Sequence, residues 1–182
     1  LTGFTSSQVS VLTTNQLQSL SSNQLKGIKA ADIPFLTTAQ IAILNNEQIS
    51  GLTTDQIVTL TSQQIAAINP DNVYALTASQ IAALNTKQIR GLTTAQILLF
   101  LTEQIAAFES SDMVGFSTDQ IATFKSEYVF NLRTLQIAAL NSDQIKAFGS
   151  GLITQFSSDQ VRAIEIADLP GLTTDQIQAW VP

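Results

Sequence analysis

Residues 52–68 read LTTDQIVTLTSQQIAAI, which is an eight-residue unit followed by a close copy of itself. Stepping by eight from Leu52 in both directions meets a large apolar residue every time, from Phe4 to Trp180, with no insertion or deletion. We call this residue position one, so that octad 1 begins at Phe4 and octad 22 at Leu172. Position six is equally strict and is apolar from Val9 to Ile177. Such a register predicts one tandem array over residues 1–182, in register from 4 to 180, rather than a loop-rich domain.

The polar positions of the octad predict the N-terminus of a helix. Position two is Ser, Thr or Asn in fifteen of the twenty-two octads, and position five is Gln in sixteen. In this S/T-x-x-Q capping box the hydroxyl accepts from the backbone N–H three residues on, and the glutamine reaches back to the N–H of the cap. Positions one and six are placed to form the hydrophobic staple that accompanies such a cap. Each octad therefore predicts a helix of its own.

The alternative of one continuous helix fails on geometry. Eight residues turn a helix by about 800°, which overshoots two turns, so the apolar stripe would spiral around it. The sequence instead predicts an all-α solenoid of about twenty-two very short helices, each of about one to one and a half turns, α or 3₁₀. A β-solenoid is the rival fold. The many Ala and Gln residues, and the acids at the start of the octad, favour helices.

One octad is too small to fold alone, so stability must come from stacking octads on one another. Positions one and six then form the core. The predicted core includes Leu12, Leu36, Ile41, Leu52, Ile57, Leu92, Ile97, Phe116, Ile121, Leu140, Ile145, Leu172 and Ile177.

A second period of forty residues overlies the first. The octads at Asp32, Asn72, Asp112 and Leu152 lack Gln at position five and are spaced by forty, as are those at Tyr128 and Asp168. Gly51, Gly91 and Gly171, at position eight where helices stop, share the spacing. One interpretation is growth of the array by copying of five-octad blocks. The other is that five octads complete one or two coils.

Composition excludes several classes of function. The chain contains no Cys and no His, which removes the disulfide, the zinc–histidine site and the Ser-His-Asp triad. Eight basic residues and a net charge of −6 do not make a nucleic-acid surface. No apolar run reaches the roughly twenty residues of a membrane span. We predict no enzyme, no cofactor, no metal, no nucleic acid and no membrane insertion. A calcium site near Ser110–Asp112 or Asp71, and an ice-binding row of threonines, are minor alternatives.

A few large apolar residues lie off positions one and six. Tyr74, Tyr128, Phe130 and Phe35 are the residues predicted for a protein-interaction patch, and Tyr128 stands out because it replaces the capping Gln. The alternative is that these side chains fill gaps between coils.

The stretch from Leu52 to Ile68 resembles the LTTxQI octad arrays of very large repetitive bacterial proteins, many of them surface or secreted adhesins. The resemblance spans essentially the whole chain and carries over no functional residue. It implies a secreted or cell-surface spacer, stalk or adhesive segment that meets a protein or cell-surface ligand. A superhelical scaffold for a peptide or protein is the alternative. Because the core pattern reaches both ends, we expect a segment of a longer protein whose array continues end to end.

Overall fold

The computed structural model describes residues 5–178, and in this range every octad contributes one short helix and no strand is present. The all-α solenoid is therefore confirmed and the β-solenoid is wrong. The α-helices are Ser6–Ser10, Thr14–Gln18, Ser22–Lys26, Thr38–Ala42, Asn46–Gly51, Thr54–Thr59, Ser62–Ala67, Ala78–Ala82, Thr86–Gly91, Thr94–Leu98, Thr102–Ala107, Thr118–Ala122, Ser126–Asn131, Thr134–Ala138, Ser142–Ala147, Gly149–Ile153, Ser158–Arg162 and Thr174–Gln178; the 3₁₀ helices are Ala30–Phe35, Pro70–Ala75, Ser110–Gly115 and Leu169–Gly171.

Capping explains why a new helix begins in each octad. In the helix Thr94–Leu98, Gln96 N donates to Thr93 Oγ1 at 3.2 Å and Thr93 N donates to Gln96 Oε1 at 2.8 Å. The cap residue is extended, which breaks the helix of the preceding octad before the next one starts. The predicted capping box is confirmed in most octads. In octad 13 the cap is Leu101, which has no hydroxyl and keeps only the bond from its N–H to Gln104.

The helices wind into a coil of about three and a half octads. Gln96 Nε2 donates to Ile65 O at 2.8 Å and to Ile68 O at 2.7 Å, which lie 31 and 28 residues earlier. The same two offsets recur from Gln40 to Gln160. Helices three octads apart also pack on one another throughout the described residues. The interpretation of five octads as one or two whole coils is therefore wrong, because 40 residues are not a multiple of 28.

The core fills the interior of the coil with side chains from positions one and six. Eleven of the thirteen predicted core residues are buried. Leu12 is partly buried, and Ile177 is 47% exposed. Both differences have one cause: position one is covered by the preceding coil and position six by the following coil, and in the described residues no coil precedes Leu12 or follows Ile177.

A row of six phenylalanine rings, joined by five consecutive contacts, runs through the second half of this core. The rings of Phe100, Phe108, Phe116 and Phe124 meet edge to face, with centroids 5.0–5.9 Å apart. Phe124 continues the row to Phe148, which meets Phe156 at 5.1 Å. Edge-to-face pairs add stabilisation beyond the burial of area. The row accordingly reinforces the coils that follow octad 12.

The forty-residue period appears in the helix type rather than in the coil. At Asp32, Asn72 and Asp112 the side chain at position five is too short for the capping box, and these octads form the six-residue 3₁₀ helices. The octad of Leu152 departs from this pattern, since its helix is α and begins at Gly149. The period therefore sets the local winding of particular octads.

The glycines at position eight allow neighbouring coils to approach closely. A Cβ on Gly91 would lie 2.6 Å from Ser62 O and 2.8 Å from Ser62 Cβ, and Gly51, Gly115 and Gly171 face similar contacts 29 residues earlier. Helices do end at these glycines, but the reason is not a left-handed cap, because only Gly149 has a positive φ in the described residues. Among the helices of this range, none has the length and apolarity needed to cross a bilayer.

Candidate functional site

In residues 5–178 core side chains occupy the space inside the coil. A partner would therefore have to meet the outer surface. Most polar side chains at positions two and five are already engaged in caps and in contacts between coils. The exposed large apolar side chains off the core positions are the remaining candidates for recognition.

Five of these side chains gather on one side of the coil. Leu98, Leu99 and Leu101 are 42%, 46% and 43% exposed where one helix ends and the next begins. The coil offset of 28 residues places Tyr74 one coil before Thr102 and Phe130 one coil after it. Tyr74 is 49% exposed and Phe130 is 65% exposed. We call Tyr74, Leu98, Leu99, Leu101 and Phe130 the apolar patch.

Tyr74 is held in place at the base of the patch. Asn46 Nδ2 donates a hydrogen bond to the Tyr74 hydroxyl from the preceding coil. This bond confirms the coil offset directly, because residues 46 and 74 are 28 apart. The ring of Tyr74 is thus fixed against the solenoid while half of its surface faces outward.

Carboxylates border the apolar patch. Asp71 and Glu127 lie one coil before and one coil after Leu99, each 28 residues away, and Glu103 follows Leu101 by two residues. All three are exposed. Two cations lie near the patch and are engaged within the chain: Lys125 Nζ lies 5.3 Å from the centroid of the Tyr128 ring, and Arg133, three residues after Phe130, donates from Nη2 to Phe108 O at 2.8 Å. The border of the patch therefore has three exposed carboxylates against two cations.

Two of the four residues predicted for an interaction surface do not belong to the apolar patch. Phe35 is 53% exposed, but it lies 39 residues before Tyr74, which is one coil plus eleven residues, and so faces another side. Tyr128 is 1% exposed, and the prediction that it contacts a partner is wrong. The predicted alternative, that such a side chain fills the interior, describes Tyr128 correctly.

Tyr128 takes over the role of a glutamine inside the solenoid. Its hydroxyl lies 3.0 Å from Ile97 O and 2.7 Å from Phe100 O, the same offsets of 31 and 28 residues that the glutamines use. Its ring also packs edge to face on Phe124. Burial, and then the nearby charge of Glu127, raise the pKa of the Tyr128 hydroxyl to about 12. This residue therefore ties two coils together.

The buried column formed by position-five side chains, which we call the glutamine ladder, is the feature that the capping interpretation missed. From Gln40 to Gln160, each ladder glutamine accepts from its own cap with Oε1 and donates to two carbonyls of the preceding coil with Nε2, as Gln96 does; Gln176 donates to Lys146 O alone. A capping box accepts Glu as readily as Gln. Position five contains no Glu in any octad, and this exclusion was the available signal that a donor is required there.

The residues considered for a calcium site are engaged in contacts between coils. Asp112 Oδ1 accepts from Thr86 Oγ1 at 2.6 Å, and Asn72 Nδ2 donates to Leu44 O at 2.8 Å. Within residues 5–178 no group of three or more acidic side chains is arranged to hold a metal ion. These polar groups therefore act as further bonds between coils.

Comparison with known families finds similarity at the level of the repeat. Residues 25–62, 65–98 and 73–110 match the family model of the ALTTAQ repeat. In residues 91–96, GLTTAQ, the motif runs from position eight to position five and so includes both the cap and the ladder glutamine. No curated protein matches the chain. The similarity supports a tandem-repeat protein.

Proposed function

We propose that the chain is a non-catalytic structural module that serves as a stiff spacer or stalk in a large bacterial extracellular protein. The observation that supports it is the glutamine ladder, in which buried amides join each coil to the one before from Gln40 to Gln160. Since each octad contacts only neighbouring coils, added octads lengthen the rod and leave its cross-section unchanged. Extracellular location and an adhesive role rest on the resemblance to bacterial repeat arrays.

Small-angle X-ray scattering of a lengthened chain tests the spacer. A second copy of residues 52–107, which is seven octads or two coils, is inserted after residue 107. We expect the maximum dimension to grow while the radius of gyration of the cross-section stays the same. A cross-section that widens, or a length that does not change, contradicts a stiff rod.

Surface location is tested separately by labelling bacteria that carry the protein with antibodies raised against the chain. We expect intact cells to be labelled. Labelling that requires permeabilised cells contradicts the extracellular proposal and leaves the rod itself unaffected.

A second candidate function is the binding of a protein partner along the rod, and the apolar patch favours it. A spacer needs no cluster of exposed aromatic and leucine side chains on one side. The patch spans three successive coils, so it can contact an extended or helical segment lying along the solenoid axis. This candidate is compatible with the spacer role.

A further inference from the structure

We infer that the apolar patch binds a polypeptide segment in which apolar side chains are flanked by lysine or arginine. The inference rests on the second candidate function and adds the chemistry of the partner. Its starting point is the composition of the surface: five apolar side chains, each 42–65% exposed, with carboxylates beside them.

The spacing of the charges supports a cationic partner. Asp71, Leu99 and Glu127 follow one another along the axis at steps of one coil, so each neighbour of the central leucine in that direction is a carboxylate. Glu103 lies beside Leu101 on the next helix. A bound segment that sets apolar side chains on the leucines would bring its flanking residues against these acids. A lysine or arginine of the partner at those places is attracted by the acids, and a glutamate or aspartate is repelled by them.

The same charges argue against a second copy of the chain as the occupant. A two-fold contact through the apolar patch would bring Asp71, Glu103 and Glu127 of both copies to one interface, in a protein of net charge −6. Like charges placed across an interface are destabilising. Lys125 and Arg133 are the two cations near the patch; each is engaged within its own chain, and together they are outnumbered by the three carboxylates.

Isothermal titration calorimetry with two synthetic peptides tests the inference on the whole chain. One peptide alternates leucine pairs with lysines, and its twin has glutamate in place of each lysine. We expect the lysine peptide to bind and the glutamate peptide not to bind. Phe130→Ser should weaken the lysine peptide by about tenfold, as expected for an exposed aromatic anchor. Glu127→Gln should weaken it less, and raised salt should remove that difference.

Leu135→Ser is the matched control, because Leu135 is 66% exposed and lies outside the apolar patch. The Leu135→Ser variant should bind the lysine peptide as tightly as the parent chain does.

Two results overturn both the inference and the second candidate function. One is that Phe130→Ser leaves the affinity for the lysine peptide unchanged, and the other is that Leu135→Ser lowers this affinity as much as Phe130→Ser does. Equal binding of both peptides, lost in Phe130→Ser, overturns only the cationic partner. Circular dichroism of each variant confirms that the fold is intact, and the spacer proposal is unaffected by either result.

Discussion

The glutamine at position five performs two tasks with one side chain. Its carbonyl oxygen closes the capping box of its own octad, and its amide N–H groups satisfy two buried backbone carbonyls of the preceding coil. Gln96 is 0% exposed and has both kinds of partner. Gln24, in the first described coil, keeps the capping bond at 2.9 Å but is exposed and meets no earlier coil among the described residues. Comparing Gln24 with Gln96 therefore separates the effect of capping from the effect of the bonds between coils.

Gln96→Glu retains the acceptor and removes the donors. We expect it to lower the free energy of unfolding by at least about 3 kcal/mol, because Ile65 O and Ile68 O lose the side-chain amide that donates to them and a carboxylate is buried beside them. Gln24→Glu should change it by less than about 0.5 kcal/mol, since only an exposed cap is altered. Urea denaturation followed by circular dichroism measures both. An equal loss of unfolding free energy in the two variants would show that capping alone accounts for the glutamine at position five.

Tyr128 gives the ladder a pH dependence. Its pKa rises from 10.0 to about 12 in the folded chain, so the neutral hydroxyl stabilises the fold. This contribution is fully present below pH 10 and is lost as the pH rises through about 12. In a Tyr74→Phe background, which leaves one tyrosine, we expect tyrosinate absorbance to appear only as the pH approaches about 12 or the chain unfolds. Titration at the ordinary value in the folded chain would contradict the buried hydroxyl.

Tyr128→Phe is the companion variant. It should be less stable at neutral pH by about 1–3 kcal/mol, because Ile97 O and Phe100 O lose the hydroxyl whose single proton they share. It should also lack the part of the alkaline stability loss that Tyr128 contributes. Comparing the denaturation series of the parent chain and of Tyr128→Phe separates the contribution of Tyr128 from that of the rest of the chain.

At the scale of the helices, the spacing between coils depends on small residues at position eight. Gly91→Ala would place a Cβ 2.6 Å from a backbone oxygen of the preceding coil. Backbone cannot move aside as a flexible side chain can, so we expect a loss of about 1–3 kcal/mol in the free energy of unfolding. Thermal and urea denaturation of the variant measure this loss.

Gly151→Ala is the control for the glycine prediction, because nothing lies within 4 Å of its Cβ position and it is inside a helix. Alanine favours a helix over glycine, so stability should be unchanged or higher by up to about 1 kcal/mol. A loss at Gly151 similar to that at Gly91 would mean that backbone conformation, rather than packing between coils, sets the requirement.

The sequence predicts some features of these helices and not others. The capping box at Thr93 and Gln96 could be predicted, because cap and helix start are three residues apart. At Asp32 and Asn72 the sequence shows only that Gln is missing from position five. It does not show that these octads form 3₁₀ helices. The contact of Gly91 with Ser62 could not be predicted, because it depends on how far one coil advances before the chain returns.

At the scale of the whole molecule, stability should be greatest where a coil is covered on both sides. Position-six side chains are buried through the middle of the array, while Leu169 and Ile177 near the end of the described residues are 40% and 47% exposed. Repeat arrays open at such ends before their interiors. We expect amide hydrogen exchange to be slowest in residues 84–124 and fastest in residues 158–178.

Mass spectrometry of peptides from the exchanged chain measures that gradient. Gln96→Glu should raise exchange most in its own coil and in the adjacent coils. Uniform protection from one end to the other would show that the array unfolds as a single cooperative unit, and would contradict local coupling through the ladder.

The sequence by itself determined that each octad is a helix start with two core residues, because caps, staples and hydrophobic period act within eight residues. It also identified Tyr74 and Phe130 as departures from the pattern. Only the tertiary structure decided that the coil closes after 28 residues, that Tyr128 points inward, and that Tyr74 and Phe130 share a patch with Leu98, Leu99 and Leu101. The physical reason is that coil closure depends on the rotation between successive helices. Side-chain packing over three and a half octads sets that rotation, and no single octad encodes it.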